Sequence, residues 1–114
     1  MLKKMKKKEE FCVVMTTIGN HEETNRIIDA LINDRLAACI QEVNIGSHYL
    51  WKEEVCHDNE ILLLIKTTWS KYDLIKNTIK SLHSYETPEI IAINIEEGDK
   101  SYLDWVRSIT EQRI

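Results

Sequence analysis

Apolar and polar positions follow two spacings along the chain, one typical of strands and one typical of helices. Runs rich in β-branched residues predict four strands, at residues 11–17, 36–51, 61–68 and 89–95. Apolar residues that recur every three to four positions predict a helix after the first, third and fourth strands. The predicted order is therefore βαββαβ followed by a terminal helix. Polar residues 53–60 predict a turn, and Gly46 allows a bend or a bulge in the second strand.

Each predicted helix begins near a residue that can cap it. Asn20 precedes Glu23 at the spacing of a capping box. Ser70 stands three residues before Asp73 in the same way, and Asp99 precedes the last helix. The side chains predicted to face inward are Ile27, Ile28, Leu31 and Ile32, then Leu74, Ile75, Ile79 and Leu82, then Tyr102, Leu103, Val106 and Ile109.

Two successive βαβ halves are typical of a ferredoxin-like sandwich, in which an antiparallel sheet carries its helices on one face. The halves also echo each other, because a Thr-Thr pair at 16–17 closes the first strand and another at 67–68 closes the third. The right-handed crossover rule leaves few other topologies. The predicted fold class is α+β, a βαββαβ sandwich with an extra C-terminal helix.

The third predicted strand is apolar on both of its faces. Residues 61–65 read Ile-Leu-Leu-Leu-Ile, whereas a sheet with one face in water alternates apolar and polar residues. A terminal helix of about ten residues is ~15 Å long and cannot cover four strands. We therefore expect another copy of the chain to cover the rest of that face, which makes the protein an oligomer.

Charge is distributed unevenly along the 114 residues, of which 43% are apolar and 30% charged, as in a globular protein. Residues 1–8 carry +5, and residues 9–114 carry −9 from ten basic and nineteen acidic residues. So acidic a domain argues against nucleic acid as a partner. We interpret residues 1–9 as a basic, flexible tail and residues 10–114 as one domain. The longest apolar run is too short for a transmembrane segment, and no secretion signal follows the lysines.

The cysteines bear on the cellular compartment. Cys12, Cys39 and Cys56 are odd in number and lack C-x-x-C spacing, which predicts reduced thiols in a cytoplasmic protein. Cys39 lies between apolar neighbours and is expected to be buried. The sequence shows no phosphate-binding glycine loop, no G-x-S-x-G and no H-E-x-x-H, so we expect no enzymatic activity.

Five short stretches carry a family resemblance, namely residues 35–40 (RLAACI), 47–51 (SHYLW), 60–67 (EILLLIKT), 83–89 (HSYETPE) and 98–105 (GDKSYLDW). In this order they resemble the CutA family, the divalent-cation tolerance proteins. The resemblance implies the sandwich described above and a tight trimer, joined through sheet edges and faces. It also implies a role in tolerance to copper and other divalent metals, with no enzymatic activity firmly attached. Animal members are associated with anchoring acetylcholinesterase at membranes.

The chain departs from the family at positions that some members are proposed to use for copper. Thr16 stands where some members have a cysteine, and Leu82 replaces the first residue of a His-His pair. His83 remains as the candidate metal ligand, followed by Ser84 where proline is usual, and residues 52–53 replace a usual glycine. Because a threonine hydroxyl is a poor ligand for copper, we expect weak binding of copper or another divalent metal, and no required cofactor.

His83 also has a second interpretation. As a metal ligand it needs another soft or imidazole partner nearby, and otherwise it is a helix-terminal histidine stabilised by the helix dipole. Residues 56–60 (CHDNE) group four ligand types, but their spacing matches no zinc motif. Metal binding at residues 56–60 is therefore expected to be adventitious.

Five positions match the family without an obvious role in a core, and we interpret them as candidate ligand-binding residues: Tyr49, Trp51, Lys66, Tyr85 and Glu89. Lys66 interrupts the most apolar strand, so its ammonium group needs a carboxylate or an anionic ligand. Its possible carboxylate partners are Glu60, Glu86 and Glu89. Lys66 forms either a structural ion pair at a subunit boundary or part of an intersubunit pocket. Tyr49 and Trp51 share one strand face and suit a packed interface.

Two functions fit this pattern. The first is a CutA-like homotrimer that contributes to divalent-metal tolerance and binds metal or a small ligand between subunits. The second is a trimeric interaction or signalling scaffold, with an architecture like that of the nitrogen-regulatory PII trimers, for which metal is incidental. Residues 53–59 are too few for the nucleotide-binding loop of a PII-like sensor.

Overall fold

The computed structural model describes residues 9–111, which form an antiparallel sheet and three helices. In chain order the elements are β1 (Phe11–Ile18), α1 (His21–Asn33), β2 (Cys39–Trp51), β3 (Glu54–Thr68), α2 (Tyr72–Leu82), β4 (Ile90–Ile95) and α3 (Lys100–Glu111). The predicted order and the α+β class are confirmed. Residues 1–8 of the predicted tail lie outside the described residues, and the assignment of residues 10–114 to one domain stays a prediction.

The sheet has the strand order β2-β3-β1-β4, and every neighbouring pair is antiparallel. Val14 lies opposite Ile65, and Thr16 lies opposite Leu63, so these four side chains share one face. That face packs against α1 and α2. The buried core between them consists of Cys12, Val14, Ile18, Ile27, Leu31, Leu36, Ala37, Ile61, Leu63, Ile65, Ile75 and Ile79.

Two of the three predicted helix caps are present. The side-chain oxygen of Asn20 accepts a hydrogen bond from the amide of Glu23 at 2.8 Å, and that of Asp99 accepts one from the amide of Tyr102 at 3.1 Å. The predicted cap at Ser70 is wrong. Ser70 lies in a 3-10 turn and bonds a neighbouring hydroxyl group at 2.9 Å, and α2 begins two residues later without a side-chain cap.

The β2–β3 hairpin is longer than the sequence pattern predicted. The predicted turn over residues 53–60 is wrong, because the chain reverses at Lys52 and Glu53, whose φ angles are 50° and 67°. Two successive positive φ angles are those of a type I′ turn, whose twist matches that of the flanking strands. Gly46 pairs with Asn59 in regular register, so β2 has no bulge there.

Helix α3 packs on the opposite face of the sheet. Its Arg107 guanidinium lies 5.2 Å from the centre of the Phe11 ring and forms an ion pair with Glu10, and its Val106 is buried. The helix covers only one end of this face. We call the remainder the open face, and its apolar side chains are Met15, Val43, Leu62, Leu64, Ile91 and Ile93.

Several side chains are more exposed than predicted. Ile32, Leu74 and Tyr102 are 38%, 52% and 40% exposed, so the prediction that they face inward is wrong. Each lies at the edge of an apolar stripe that is wider than the strip of helix surface in contact with the sheet. Cys39 is half-buried rather than buried, because it lies on the face that α3 covers only in part, beside the hydroxyl of Tyr102.

Candidate functional site

The β2–β3 hairpin extends beyond the rest of the sheet. Strand β1 ends opposite Ile61, whereas β2 and β3 stay paired as far as their connecting turn. We call residues 46–59, which form this two-stranded extension, the arm. Because successive side chains point to opposite faces of a strand, Tyr49 and Trp51 lie on the side continuous with the open face.

A cleft of about 620 Å³ lies between the arm and the segment that connects α2 to β4. This volume is within the range of small-molecule sites. The cleft is lined by Thr17, Ser47, His48, Tyr49, Trp51, Lys52, Glu60, Tyr85, Glu86, Thr87 and Glu89. The structure therefore brings together four of the five candidate ligand-binding residues, Tyr49, Trp51, Tyr85 and Glu89, and their role in binding stays a prediction.

Tyr85 is fixed in the cleft by a buried carboxylate. Its hydroxyl donates a hydrogen bond to Glu60 Oε2 at 2.7 Å, and Glu60 is only 7% exposed. Gly19 permits this approach, because a Cβ atom there would lie 2.9 Å from the Tyr85 hydroxyl oxygen. Desolvation, followed by the hydrogen bond to Glu60, raises the pKa of Tyr85 above its ordinary value. Tyr85 is therefore a protonated, well-positioned donor.

Tyr49 makes a similar contact across the hairpin. Its hydroxyl donates a hydrogen bond to Asp58 Oδ2, which lies on the neighbouring strand. This hydrogen bond, followed by desolvation, raises the pKa of Tyr49 to about 12. Both cleft tyrosines thus keep their protons at neutral pH, and each holds a carboxylate in place.

Lys66 does not reach the cleft. It lies on β3 opposite Val13 and Cys39, and its ammonium group donates a hydrogen bond to Gln41 Oε1 at 2.7 Å. Within one chain Lys66 does not pair with Glu60, because six residues of extended strand, roughly 20 Å, separate them. The ammonium group is stabilised instead by the side-chain amide oxygen of Gln41 and by water, because Lys66 is only half-buried. An ion pair of Lys66 across a subunit boundary stays a prediction. A ligand-binding role for Lys66 stays a prediction.

His83 is buried in the fold beneath the cleft. Its side chain is 0% exposed, its Nε2 donates to the carbonyl of Thr17 at 2.8 Å, and its Nδ1 accepts from the amide of Tyr85 at 3.0 Å. Because a carbonyl can only accept, the ring carries a proton on Nε2 and presents a lone pair at Nδ1. The Glu23 carboxylate lies 3.6 Å from that Nδ1.

The environment of His83 can be compared with its two interpretations, a helix-terminal histidine and a metal ligand. It caps the C-terminus of α2, in agreement with a helix-terminal role. A metal ion could bind only if one of its two hydrogen bonds broke, and the assignment of His83 as a metal ligand stays a prediction. The ring also contributes packing to the fold, since it is enclosed on all sides.

The sequence pattern missed Asp58 and His48 as residues of the arm and cleft. Because residues 53–60 have the composition of a turn, no partner across a hairpin was assigned to them. The available signal was the pair Lys52-Glu53, two polar residues between two extended runs, which is the length of a tight hairpin loop.

Metal coordination within one chain is limited. Within residues 9–111, no three side chains of histidine, cysteine, aspartate or glutamate converge closely enough to hold a metal ion. Water or groups from another subunit would therefore have to complete any metal site in the cleft. No helix in the described part of the chain has the length and apolar content needed to cross a membrane.

Fold and site together define a class of protein. It is a ferredoxin-like α+β sandwich with an open apolar sheet face, a projecting arm and a cleft beside that arm. Residues 12–109 match the model of a family described as CutA1 divalent ion tolerance protein. The chain belongs to this CutA family of divalent-cation tolerance proteins.

Individual relatives agree with this assignment. The divalent-cation tolerance protein CutA of Thermus thermophilus is 44% identical over 99 residues, which cover 86% of this chain and 96% of the relative. The human protein CutA is 38% identical over 96 residues, and these cover 83% of this chain and 54% of the human protein. The chain thus spans about half the length of the human relative.

Solved structures of CutA proteins agree with the same family assignment. The Thermus thermophilus protein has a TM-score of 0.85 at 44% identity, covering 88% of this chain and 98% of its own. A protein from Archaeoglobus fulgidus, described as a periplasmic divalent cation tolerance protein CutA, has a TM-score of 0.86 at 34% identity. The match covers 89% of this chain and 99% of the Archaeoglobus chain. These descriptions name tolerance to divalent cations and no reaction.

Proposed function

We propose that the chain forms a homotrimer that contributes to divalent-cation tolerance and binds metal ions or a small ligand in clefts completed at subunit boundaries. The observation that carries the proposal is the cleft itself. It gathers Tyr49, Trp51, Tyr85 and Glu89 beside the open face, where a neighbouring subunit can close it. The proposed number of three subunits comes from the resemblance to CutA proteins.

The open face supports assembly. Val43, Ile91 and Ile93 are 42%, 48% and 52% exposed. Leu62 and Leu64 lie between them and are only partly buried. Contiguous apolar side chains on this scale are uncommon on the surface of a monomer and mark a contact with another chain.

The arm supports assembly as well. Leu50 and Val55 pair with each other near its tip and are 71% and 65% exposed. A two-stranded hairpin is at best marginally stable in water without further packing. Contact with a second subunit would bury these two side chains and hold the arm beside the cleft.

The chemistry of the cleft favours hard cations over copper. Glu60, Glu86 and Glu89 supply carboxylate oxygens, which suit divalent cations whose coordination is completed by water. Copper prefers nitrogen and sulfur ligands, so copper binding in the cleft is micromolar or weaker. The rings of Tyr49 and Trp51 offer packing for a small organic ligand.

A cytoplasmic location belongs to the same proposal. Cys12, Cys39 and Cys56 are free thiols in the structure, and burial raises the pKa of Cys12 to about 11. Free thiols are typical of reducing compartments. Cell fractionation tests the location, and recovery of the protein from the periplasm would contradict it.

Calorimetric titration of the tag-free protein with Mn²⁺, which prefers oxygen ligands, tests binding in the cleft. We expect saturable binding that Glu89→Gln weakens by roughly fivefold or more, since one carboxylate ligand is lost. Glu96→Gln is the matched control, because Glu96 is an exposed carboxylate outside the cleft. Absence of saturable binding by a trimeric protein would contradict the metal role and favour the scaffold.

A further inference from the structure

The side of the arm that faces away from Tyr49 carries two histidines. His48 on β2 and His57 on β3 lie directly opposite each other in the ladder, and both are exposed. Their ring centres are 4.7 Å apart, and their Nδ1 atoms are 2.5 Å apart. The two Nδ1 atoms therefore point at each other and lie within hydrogen-bond distance.

We propose that this pair is a binding site for a divalent transition-metal ion of the Cu²⁺, Ni²⁺ and Zn²⁺ class. Nδ1 of His48 and Nδ1 of His57 are its two protein ligands. Imidazole nitrogen suits these ions better than it suits Mg²⁺, Ca²⁺ or Mn²⁺. The paired strands fix the backbone positions of both histidines, so the two ligands are already assembled before the ion arrives.

Metal binding at this pair requires only a shift of one proton. In the metal-free pair one Nδ1 donates and the other accepts, so a single proton lies between the rings. When the ion binds, the donating ring carries its proton on Nε2 instead, and both Nδ1 lone pairs coordinate the metal. Two waters leave the hydrated ion, no net proton is released, and nothing is oxidised or reduced.

The geometry requires a small opening of the pair. Metal–nitrogen bonds of about 2.0–2.1 Å at 90–109° need Nδ1 atoms about 2.9–3.3 Å apart, so the observed separation must widen by less than about 1 Å. Side-chain torsions of two exposed residues supply this movement without displacing the strands.

The site is distinct from the carboxylates of the cleft. Tyr49 and Cys56 point to the other side of the arm, and only His48 of the pair also lines the cleft. In the described part of the chain no third side chain joins the two histidines, so water fills the remaining coordination positions. We expect a micromolar dissociation constant. The inference goes beyond the proposed function and does not rest on binding in the cleft.

Titration of the tag-free, full-length protein with Cu²⁺, followed by calorimetry and electron paramagnetic resonance, tests the site. We expect one equivalent per chain, with hyperfine coupling to two nitrogens. His48→Ala and His57→Ala each weaken binding by about tenfold or more and abolish the two-nitrogen pattern. His21→Ala, which removes an exposed histidine of α1, is the matched control. It is expected to change neither the Cu²⁺ affinity nor the two-nitrogen pattern. Thermal midpoints confirm that the variants fold.

The outcomes separate this site from the cleft. Undiminished Cu²⁺ affinity in both His48→Ala and His57→Ala would overturn the proposal, as would a two-nitrogen signal that survives in them. Loss of Cu²⁺ binding in Glu89→Gln, with retention in His57→Ala, would assign copper to the cleft and refute the arm site. Loss of Mn²⁺ binding alone in Glu89→Gln, with Cu²⁺ binding intact, supports both sites.

Discussion

Glu60 is nearly inaccessible to water, and the hydroxyl of Tyr85 is its hydrogen-bond donor. Tyr85→Phe removes that donor and leaves a buried carboxylate oxygen without its partner. We expect the free energy of unfolding to fall by about 1–3 kcal/mol, measured by urea denaturation. Tyr72→Phe is the control, because the Tyr72 hydroxyl makes no hydrogen bond within the described residues.

A second substitution addresses the same contact from the opposite side. Gly19→Ala places a Cβ atom against the Tyr85 hydroxyl and should displace the ring from Glu60. If Tyr85→Phe were as stable as the Tyr72→Phe control, the hydrogen bond to Glu60 would contribute nothing to the fold.

Because of Tyr49, the stability of the arm is expected to fall as the pH rises in the alkaline range. The hydrogen bond to Asp58 raises the pKa of Tyr49 from 10.0 to about 12, so the folded state favours the protonated phenol. Its contribution is fully present below pH 10 and is lost as pH rises from 10 towards 12. We expect the denaturation midpoints of wild type and Tyr49→Phe to differ at pH 8, to draw closer as pH rises above 10, and to converge near pH 12. A difference that stays constant across this range would contradict the assignment.

Some site residues were predictable from sequence and others were not. Tyr49, Trp51, Tyr85 and Glu89 were singled out by family motifs, and the structure brings them to one cleft. The partner of Lys66 was not predictable, because it depends on which residue of β2 lies opposite β3. Contacts across the hairpin were not predictable either, because they also depend on how β2 and β3 pair.

At the scale of elements, strands and helices with one buried face were predicted well. Along β1 and β3, side chains that face the helices alternate with side chains of the open face, and α1 and α2 each carry one apolar stripe. The arm was not predicted. Residues 54–59 have no face buried against the domain, so the burial that normally imposes a period of two on a strand is absent there.

The turn of the arm is a point of strain. Lys52 and Glu53 both have positive φ angles, a conformation that costs residues other than glycine and asparagine about 1 kcal/mol or more each. Replacing the pair with Asn-Gly should raise the free energy of unfolding by about 1 kcal/mol, measured by urea denaturation. Replacing it with Ala-Ala is the control and should not stabilise. Equal stability of the Asn-Gly variant and the wild type would contradict this description of the turn.

At the scale of the molecule, a substitution on the open face is expected to disrupt assembly without unfolding the chain. Ile93 is half-exposed on this face, so Ile93→Asp should dissociate the subunits and leave each one folded. Ile32→Asp is the matched control, because Ile32 is similarly exposed on α1, on the other side of the sheet. Leu63→Asp should unfold the protein, since Leu63 is fully buried against the helices. Circular dichroism and gel filtration distinguish these outcomes.

Sedimentation equilibrium of the tag-free wild-type protein at low micromolar concentration measures assembly most directly. An apolar sheet face that is completed by neighbouring subunits predicts a species larger than one chain, and the resemblance to CutA proteins predicts three times the 13.4 kDa mass of the chain. A species of 13.4 kDa under these conditions would contradict the proposal that other subunits cover the open face and close the clefts.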